Sequence, residues 1–392
     1  MTDWITTPIT ADLIRGAAEL ERTERGLRPH RLPAWARAQS TDPQLGIVEA
    51  QPSGVRIRFR TRATAVELEA VATRRTWAGV PARPPGRFDL LVDGRLAAEA
   101  AVPGGDTLIL DMAAGRVEHR AGPAGVVSFA GLAPDDKDVE IWLPYSEGVE
   151  LVALRTDAPV TPVTGDDRPV WLHHGSSISH GSNADGPSRT WPAVAAAVAG
   201  VELLNRGLGG NAMLDPFTAR TIRDTAADAI SLKLGINLVN GDVLRMRAFT
   251  PAVHGFLDTI RDGHPVTPLL VVSPIHCPIH EDTPGPVTFD LDALRDGTVR
   301  FTATGNPGER AAGKLTLRVI RDELARIVAE RAAGDPHLHY LDGLDLYGPA
   351  DHDDLPLPDA LHPDGAAHRR IGERFAKRVF AAGGPFAGLR AA

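Results

Sequence analysis

The hydrophobic period of this chain changes once, and that change demands two different architectures in one sequence. From about Ile47 to Arg155 apolar and polar residues alternate: Gly54-Val55-Arg56-Ile57-Arg58-Phe59-Arg60 is strict, and Ala65 to Val71 follows. Further runs lie at Phe88–Val92, Thr107–Leu110, Val126–Phe129, Val139–Leu143 and Val149–Leu154. Successive strand side chains point to opposite faces, so a period of two predicts strands with one buried face. Asp93-Gly94, Pro103-Gly104-Gly105 and Asp135-Asp136 supply turns between them. Seven or so short strands without an intervening helix predict a β-sandwich of jelly-roll type.

From about residue 169 strands alternate with helices instead. Strands are expected at Val170–His174, Val201–Leu204, Ala229–Leu234, Pro268–Val272 and His337–Leu341. Helices are expected at Trp191–Val198, Pro216–Ala227, Thr250–Arg261 and Gly308–Ala333, the last with Leu317, Ile320, Leu324, Ile327 and Val328 on one face. This alternation predicts an α/β domain, a parallel sheet covered by helices in three layers, with five strands fitting a flavodoxin-like order. Ligand chemistry then belongs at the C-terminal ends of the strands.

The expected organisation is an N-terminal helix (residues 10–25, Thr10 as N-cap) and extended connector over 1–34, the sandwich over 35–156, a Pro/Thr/Asp-rich linker over 157–168, and the α/β domain over 169–392. For the sandwich, a scaffold or lid competes with a carbohydrate-binding role, since its loop aromatics reduce to Trp77, Trp142 and Tyr145. The formal net charge is −8 and no long block of like charge occurs, which predicts neither nucleic-acid nor membrane partners. The single cysteine, Cys277, and an N-terminal stretch without leader character lead to the expectation of a reducing, cytoplasmic setting.

Chemistry is concentrated in the strand ends. Val170-Trp171-Leu172-His173-His174-Gly175-Ser176-Ser177-Ile178-Ser179 reads as a buried strand delivering a serine on a tight turn, although a plain serine-rich loop has the same composition. A nucleophilic Ser177 needs a base, a group to orient that base, and donors for an oxyanion. Asp359 and His362, three residues apart before the last helix, pair a carboxylate with an imidazole, while Asp359 or Asp364 could equally cap that helix. Gly209-Gly210 after the second strand and Asn237 after the third offer a backbone N–H and a side-chain amide, or simply two turns. Arg206 faces either an anionic group or solvent. His276 and His280, in the Pro-interrupted loop after the fourth strand, are expected to line the substrate pocket, and the prolines argue against a metal there. His173, His174 and His180 compete for the base role, but strand geometry turns adjacent side chains apart.

These blocks, in this order, resemble the SGNH hydrolases, the GDSL-type esterase and lipase superfamily: Gly175-Ser176-Ser177-Ile178-Ser179, Gly210, Gly235-Ile236-Asn237 and Asp359-Ala360-Leu361-His362. The resemblance covers roughly residues 169–380. It implies Ser177 as nucleophile, His362 as base, Asp359 as its orienter, and an oxyanion hole of the Ser177 and Gly210 N–H groups with the Asn237 amide, with no metal or cofactor. Ser176 stands where the family usually has Asp, and Leu238 follows Asn237 where Asp is frequent. The β-rich segment looks like the accessory domain of some bacterial carbohydrate esterases. The activity implied is hydrolysis of a short acyl ester, acetyl above all, of a hydroxylated small molecule or sugar. The same acyl-enzyme passed to an alcohol would make an acyltransferase. A non-catalytic carbohydrate-binding protein would lack a block, and none is missing.

Overall fold

A computed structural model describes residues 3–80, 84–111 and 114–389. By its internal contacts the chain forms two compact units, one of Met1–Ala34, Gly46–Asp167 and Gly186–Ser188, the other of Trp35–Leu45, Arg168–Asp185 and Arg189–Ala392.

The first unit is strand-rich. One of its sheets runs Arg116–Arg120, Asp106–Asp111, Ala65–Trp77, Gly148–Thr156, Leu27–His30, Glu19–Arg22, with Ile5–Thr7 and Gly125–Ala130 also paired into it. The other runs Val160–Pro162, Arg56–Thr61, Lys137–Trp142, Arg87–Val92, Arg95–Ala101, with Ile14–Arg15 on Arg56–Thr61. The alternation in the sequence explains the core. Ile57 and Phe59 from one sheet and Val66, Leu68 and Ala70 from the other are fully buried in one apolar cluster, with Phe88, Leu90, Val139, Ile141, Leu151 and Leu154.

The N-terminal segment differs from expectation. Residues 10–25 do not form a helix: Ala11–Leu13 is a single 3-10 turn, Ile14–Arg15 is a strand on Arg56–Ile57, and Glu19–Arg22 pairs antiparallel with Leu27–His30. Leu13 and Ile14 spend their apolar surface on the sandwich core, and tertiary burial outweighs the weak helical preference of the segment. Gly26 accordingly sits in a hairpin turn, its carbonyl accepting from Thr23 N–H, and does not end a helix. Two other segments acquire pairing that composition did not disclose. Leu27–His30, read as a connector, is a strand, and Val160–Pro162, within the segment read as a linker, joins Arg56–Thr61.

The second unit contains the parallel sheet. Its strands are β1 (Val170–Gly175), β2 (Glu202–Gly207), β3 (Ala229–Lys233), β4 (Leu269–Val272) and β5 (Leu338–Leu341), ordered β2-β1-β3-β4-β5, every pair parallel. That is the flavodoxin-like order, with the switch point between β1 and β3. Helices α1 (Ser177–His180), α2 (Trp191–Ala199), α3 (Pro216–Arg223), α4 (Ile236–Asn240), α5 (Met246–Gly263), α6 (Leu317–Arg331) and α7 (Gly365–Phe375) follow the strands. Trp171 of β1 packs with Trp191 of α2 and Phe375 of α7, ring centroids 6.2 and 5.0 Å away, while His174, its side chain on the opposite face of the strand, stacks on Phe256 of α5. Sheet and helices therefore form three layers. The segment expected as one helix over 308–333 is broken at Gly313: a 3-10 turn at Pro307–Ala312 precedes α6, whose N-cap Thr316 accepts from Val319 N–H. Among the described residues no helix is long and apolar enough to cross a membrane.

Candidate active site

Ser177 is the first residue of α1, immediately beyond β1. Ser176, in the position where an Asp is usual, supplies the N-cap, its Oγ accepting from Ile178 N–H at 3.4 Å, so a hydroxyl closes the turn as a carboxylate would. Asp359 and His362 arrive from the loop before α7. His362 Nε2 lies 2.9 Å from Ser177 Oγ, and His362 Nδ1 lies 2.8 Å from Asp359 Oδ2. The carboxylate can only accept, so Nδ1 carries the proton and Nε2 is free to accept from the serine hydroxyl. All three side chains are buried, with Ser177 9% and Asp359 and His362 7% exposed.

Asp359 is held from every side. Oδ1 accepts from the backbone N–H of Leu361 (3.0 Å) and His362 (2.7 Å), and Oδ2 accepts from His362 and from Asn183 Nδ2 at 3.1 Å. Burial pushes the carboxyl upward, but the hydrogen bonds from the His362 side chain and the two backbone groups outweigh it and hold Asp359 at about 2. Asn183 carries no motif in the sequence. It sits at φ +66°, a left-handed conformation that Asn tolerates better than most residues. The helix-capping role goes to Asp364, which accepts from Ala367 N–H.

The residues proposed as oxyanion donors retain unfilled hydrogen-bonding capacity. Asn237 Oδ1 accepts from Ala212 N–H at 3.1 Å, which fixes the amide, and its Nδ2 is buried without a partner. Among the described residues the backbone N–H groups of Ser177 and Gly210 find no acceptor either. Buried donors are almost always paired, so the unpaired amide of the buried Asn237 leaves capacity for an incoming oxygen, and the N–H of Gly210, exposed in the turn after β2, is open to one as well. Gly210 adopts φ +75°, which a side chain would strain. Gly235, two residues before Asn237, is required for space: a Cβ there would lie 2.7 Å from Ile320 Cγ2 of α6.

The three other histidines of the nucleophile segment turn away from Ser177. His173 Nδ1 and Nε2 bond Ser231 Oγ (2.7 Å) and Ser179 Oγ (2.8 Å), His174 Nδ1 bonds the Arg206 carbonyl (2.8 Å), and His180 Nδ1 bonds the Gly207 carbonyl (3.2 Å). His173 is held neutral, well below the usual imidazole range, chiefly by burial, with the neighbouring His174 and Lys233 acting in the same direction. Trp171 Nε1–H donates to the same Ser231 Oγ at 2.8 Å, so a buried chain braces the serine turn through Ser179. Arg206 is 2% exposed on β2 and does not sit in solvent; burial lowers its guanidinium to about 10. His276 Nδ1 meets Glu281 Oε1 at 3.3 Å, and His280 is fully buried with Nδ1 donating to the Thr283 carbonyl at 3.0 Å. Among the described residues no hydrogen bond joins His276 or His280 to Ser177. Burial drives the Cys277 thiol up to about 12, and its Sγ donates to the Ala360 carbonyl at 3.5 Å, packing beneath the Asp359–His362 loop.

Comparison with known proteins gives this geometry a context. The profile of the GDSL-like lipase/acylhydrolase family matches residues 174–370, and that of the SsfX3 N-terminal domain matches residues 13–151. Similar solved structures include the salicylyl-acyltransferase SsfX3 from a tetracycline biosynthetic pathway, 28% identical over 95% of both chains with a TM-score of 0.77. A putative GDSL-like lipase from Bacteroides ovatus is 18% identical over 95% of this chain and 96% of its own, with a TM-score of 0.67. A family two carbohydrate esterase from Clostridium thermocellum, solved with cellohexaose, is 13% identical over 84% and 92%, with a TM-score of 0.55. No curated protein sequence matches. The match over residues 174–370 spans half of the chain, and the protein belongs to the GDSL-like lipase/acylhydrolase family.

Proposed function

We propose that this protein is a serine acylhydrolase that cleaves a short-chain ester of a hydroxylated small molecule or sugar through an acyl-enzyme on Ser177. The observation that carries the reading is the unbroken chain Ser177 Oγ, His362 Nε2, His362 Nδ1, Asp359 Oδ2, and a buried, unpartnered Asn237 amide supports it. Ser177 Oγ attacks the ester carbonyl while its proton passes to His362 Nε2. Asp359 fixes the tautomer and stabilises the imidazolium that forms. The oxygen of the tetrahedral intermediate takes the Ser177 and Gly210 N–H groups and the Asn237 amide. His362 returns the proton to the leaving alkoxide as the C–O bond breaks, and water, activated by the same imidazole, releases the acid.

A second reading has specific support. The 28% identical relative over both units is named as an acyltransferase, and an acyl-enzyme can be resolved by an alcohol as well as by water. The choice lies in which nucleophile reaches the acyl-enzyme. Ser177→Ala tests the shared chemistry: hydrolysis of a short-chain aryl ester is lost with unchanged thermal melting, and retained hydrolysis would refute it. Incubating wild type with the ester and a series of alcohols, and measuring the transfer-to-hydrolysis ratio, separates hydrolase from transferase.

A further inference from the structure

The segment between β4 and α6 carries a short hairpin, Val287–Phe289 paired antiparallel with Phe301–Ala303, in which Phe289 and Phe301 are register partners. Their rings stack with centroids 5.1 Å apart and planes at 26°. Phe301 also meets the imidazole of His362 at 5.7 Å and 76°, an edge-on contact. Both phenylalanines are only partly buried.

The hairpin is tied to the active-site elements by backbone and does not rest on side chains alone. Phe301 N–H donates to the Asp359 carbonyl at 2.9 Å, and Thr304 N–H donates to the Pro286 carbonyl at 2.9 Å. At its base Gly285 lies so close to the Val239 carbonyl of α4 that a Cβ would approach within 1.8 Å. One insertion therefore touches both the helix bearing Asn237 and the loop bearing Asp359 and His362. The position of Phe301 is set by main-chain contacts that a side-chain substitution leaves in place.

The reaction then decides what this aromatic surface meets. When the tetrahedral intermediate collapses, the leaving oxygen must lie within hydrogen-bond reach, about 3 Å, of His362 Nε2 to receive its proton. The alcohol portion is thereby held on the imidazole side of Ser177, and its carbon skeleton extends from an oxygen already beside His362. The ring in contact with that imidazole is Phe301, backed by Phe289. We infer that Phe301 is a specificity-determining residue for the alcohol portion of the ester, and that this portion carries a ring that lays an apolar face against it. The inference rests on the acyl-enzyme reading above. A ring buries more apolar surface against these two phenylalanines than a short linear group does, and burial stabilises by roughly 25 cal/mol per Å².

The test compares cyclohexyl and ethyl esters of one acyl group, acetyl or whichever the wild type accepts, by titrating the released acid. Phe301→Ala is expected to lower kcat/KM for the cyclohexyl ester roughly three- to tenfold, as loss of a few tens of Å² of apolar burial would, while changing the ethyl ester less than about twofold. Phe301→Trp, which keeps an aromatic surface, is expected to restore the cyclohexyl preference. Equal losses on both esters would overturn the inference, since the ring would then only steady His362, and so would unchanged kinetics on both. If wild type cleaves neither ester, or Ser177→Ala cleaves both, the acyl-enzyme reading fails instead.

Discussion

Replacing Asp359 with Asn probes the proposed proton path at one atom. The carboxylate accepts four hydrogen bonds, two backbone N–H groups on Oδ1 and the His362 and Asn183 side chains on Oδ2. An amide has one acceptor oxygen. If that oxygen stays on the two backbone donors of the Asp359–His362 loop, the new NH2 faces His362 Nδ1 and Asn183 Nδ2, donor against donor. The imidazole escapes by shifting its proton to Nε2, which then points an N–H at Ser177 Oγ and cannot accept the serine proton. The expected loss in kcat is on the order of 10⁴-fold, as for removal of the charge from a serine triad, or about 5.5 kcal/mol at 1.36 kcal/mol per tenfold. KM should change little, because Asp359 lies behind the imidazole. The assay is steady-state hydrolysis of a short-chain aryl ester, with thermal melting as the control for folding. A loss below tenfold in a well-folded variant would refute the assignment of Asp359 as orienter. Asn183→Gly is the graded companion: glycine suits φ +66°, only the amide donor is lost, and a fall in kcat of about tenfold is expected from one hydrogen bond to a charged group.

Two further outcomes follow from the same geometry. Asn237→Ala removes the unpaired amide together with the acceptor for Ala212 N–H, and kcat should drop about 10²- to 10³-fold; Asn237→Asp keeps that acceptor but opposes the oxyanion, so activity no better than that of Asn237→Ala is expected in steady-state assays. His368, fully buried with Nδ1 accepting from Trp191 N–H and Nε2 donating to the Ser182 carbonyl, is lowered by burial from 6.5 to about 4. The unfolded chain gains this proton near pH 6.5 and the folded chain only near 4, so stability is lost as pH falls through that window, by about 3 kcal/mol in all. Chemical denaturation of His368→Gln from pH 7 to 4 should show a shallower decline than wild type, and an unchanged slope would count against it.

The sequence by itself determined the division into a period-two region and a βαβ region and the five parallel strands, and it singled out Ser177, Asn237, Asp359 and His362 as candidate site residues, because each rests on a local signal: side-chain periodicity, or a short block at a strand end. Local signals misled where burial was supplied from afar. Leu13, Ala17 and Leu20 have helix-compatible spacing, yet Leu13 enters the sandwich core from a 3-10 turn and Ile14 from a strand. Only the tertiary structure decided that Asn183, 176 residues from Asp359 in the chain, donates to it, that Arg206 is buried, and that Phe301 lies against His362. Such contacts leave no periodicity and no motif. They arise when a parallel sheet brings successive strand ends, and the loops beyond them, to one edge, so the candidate residues were legible from local blocks while the contacts that support them were not.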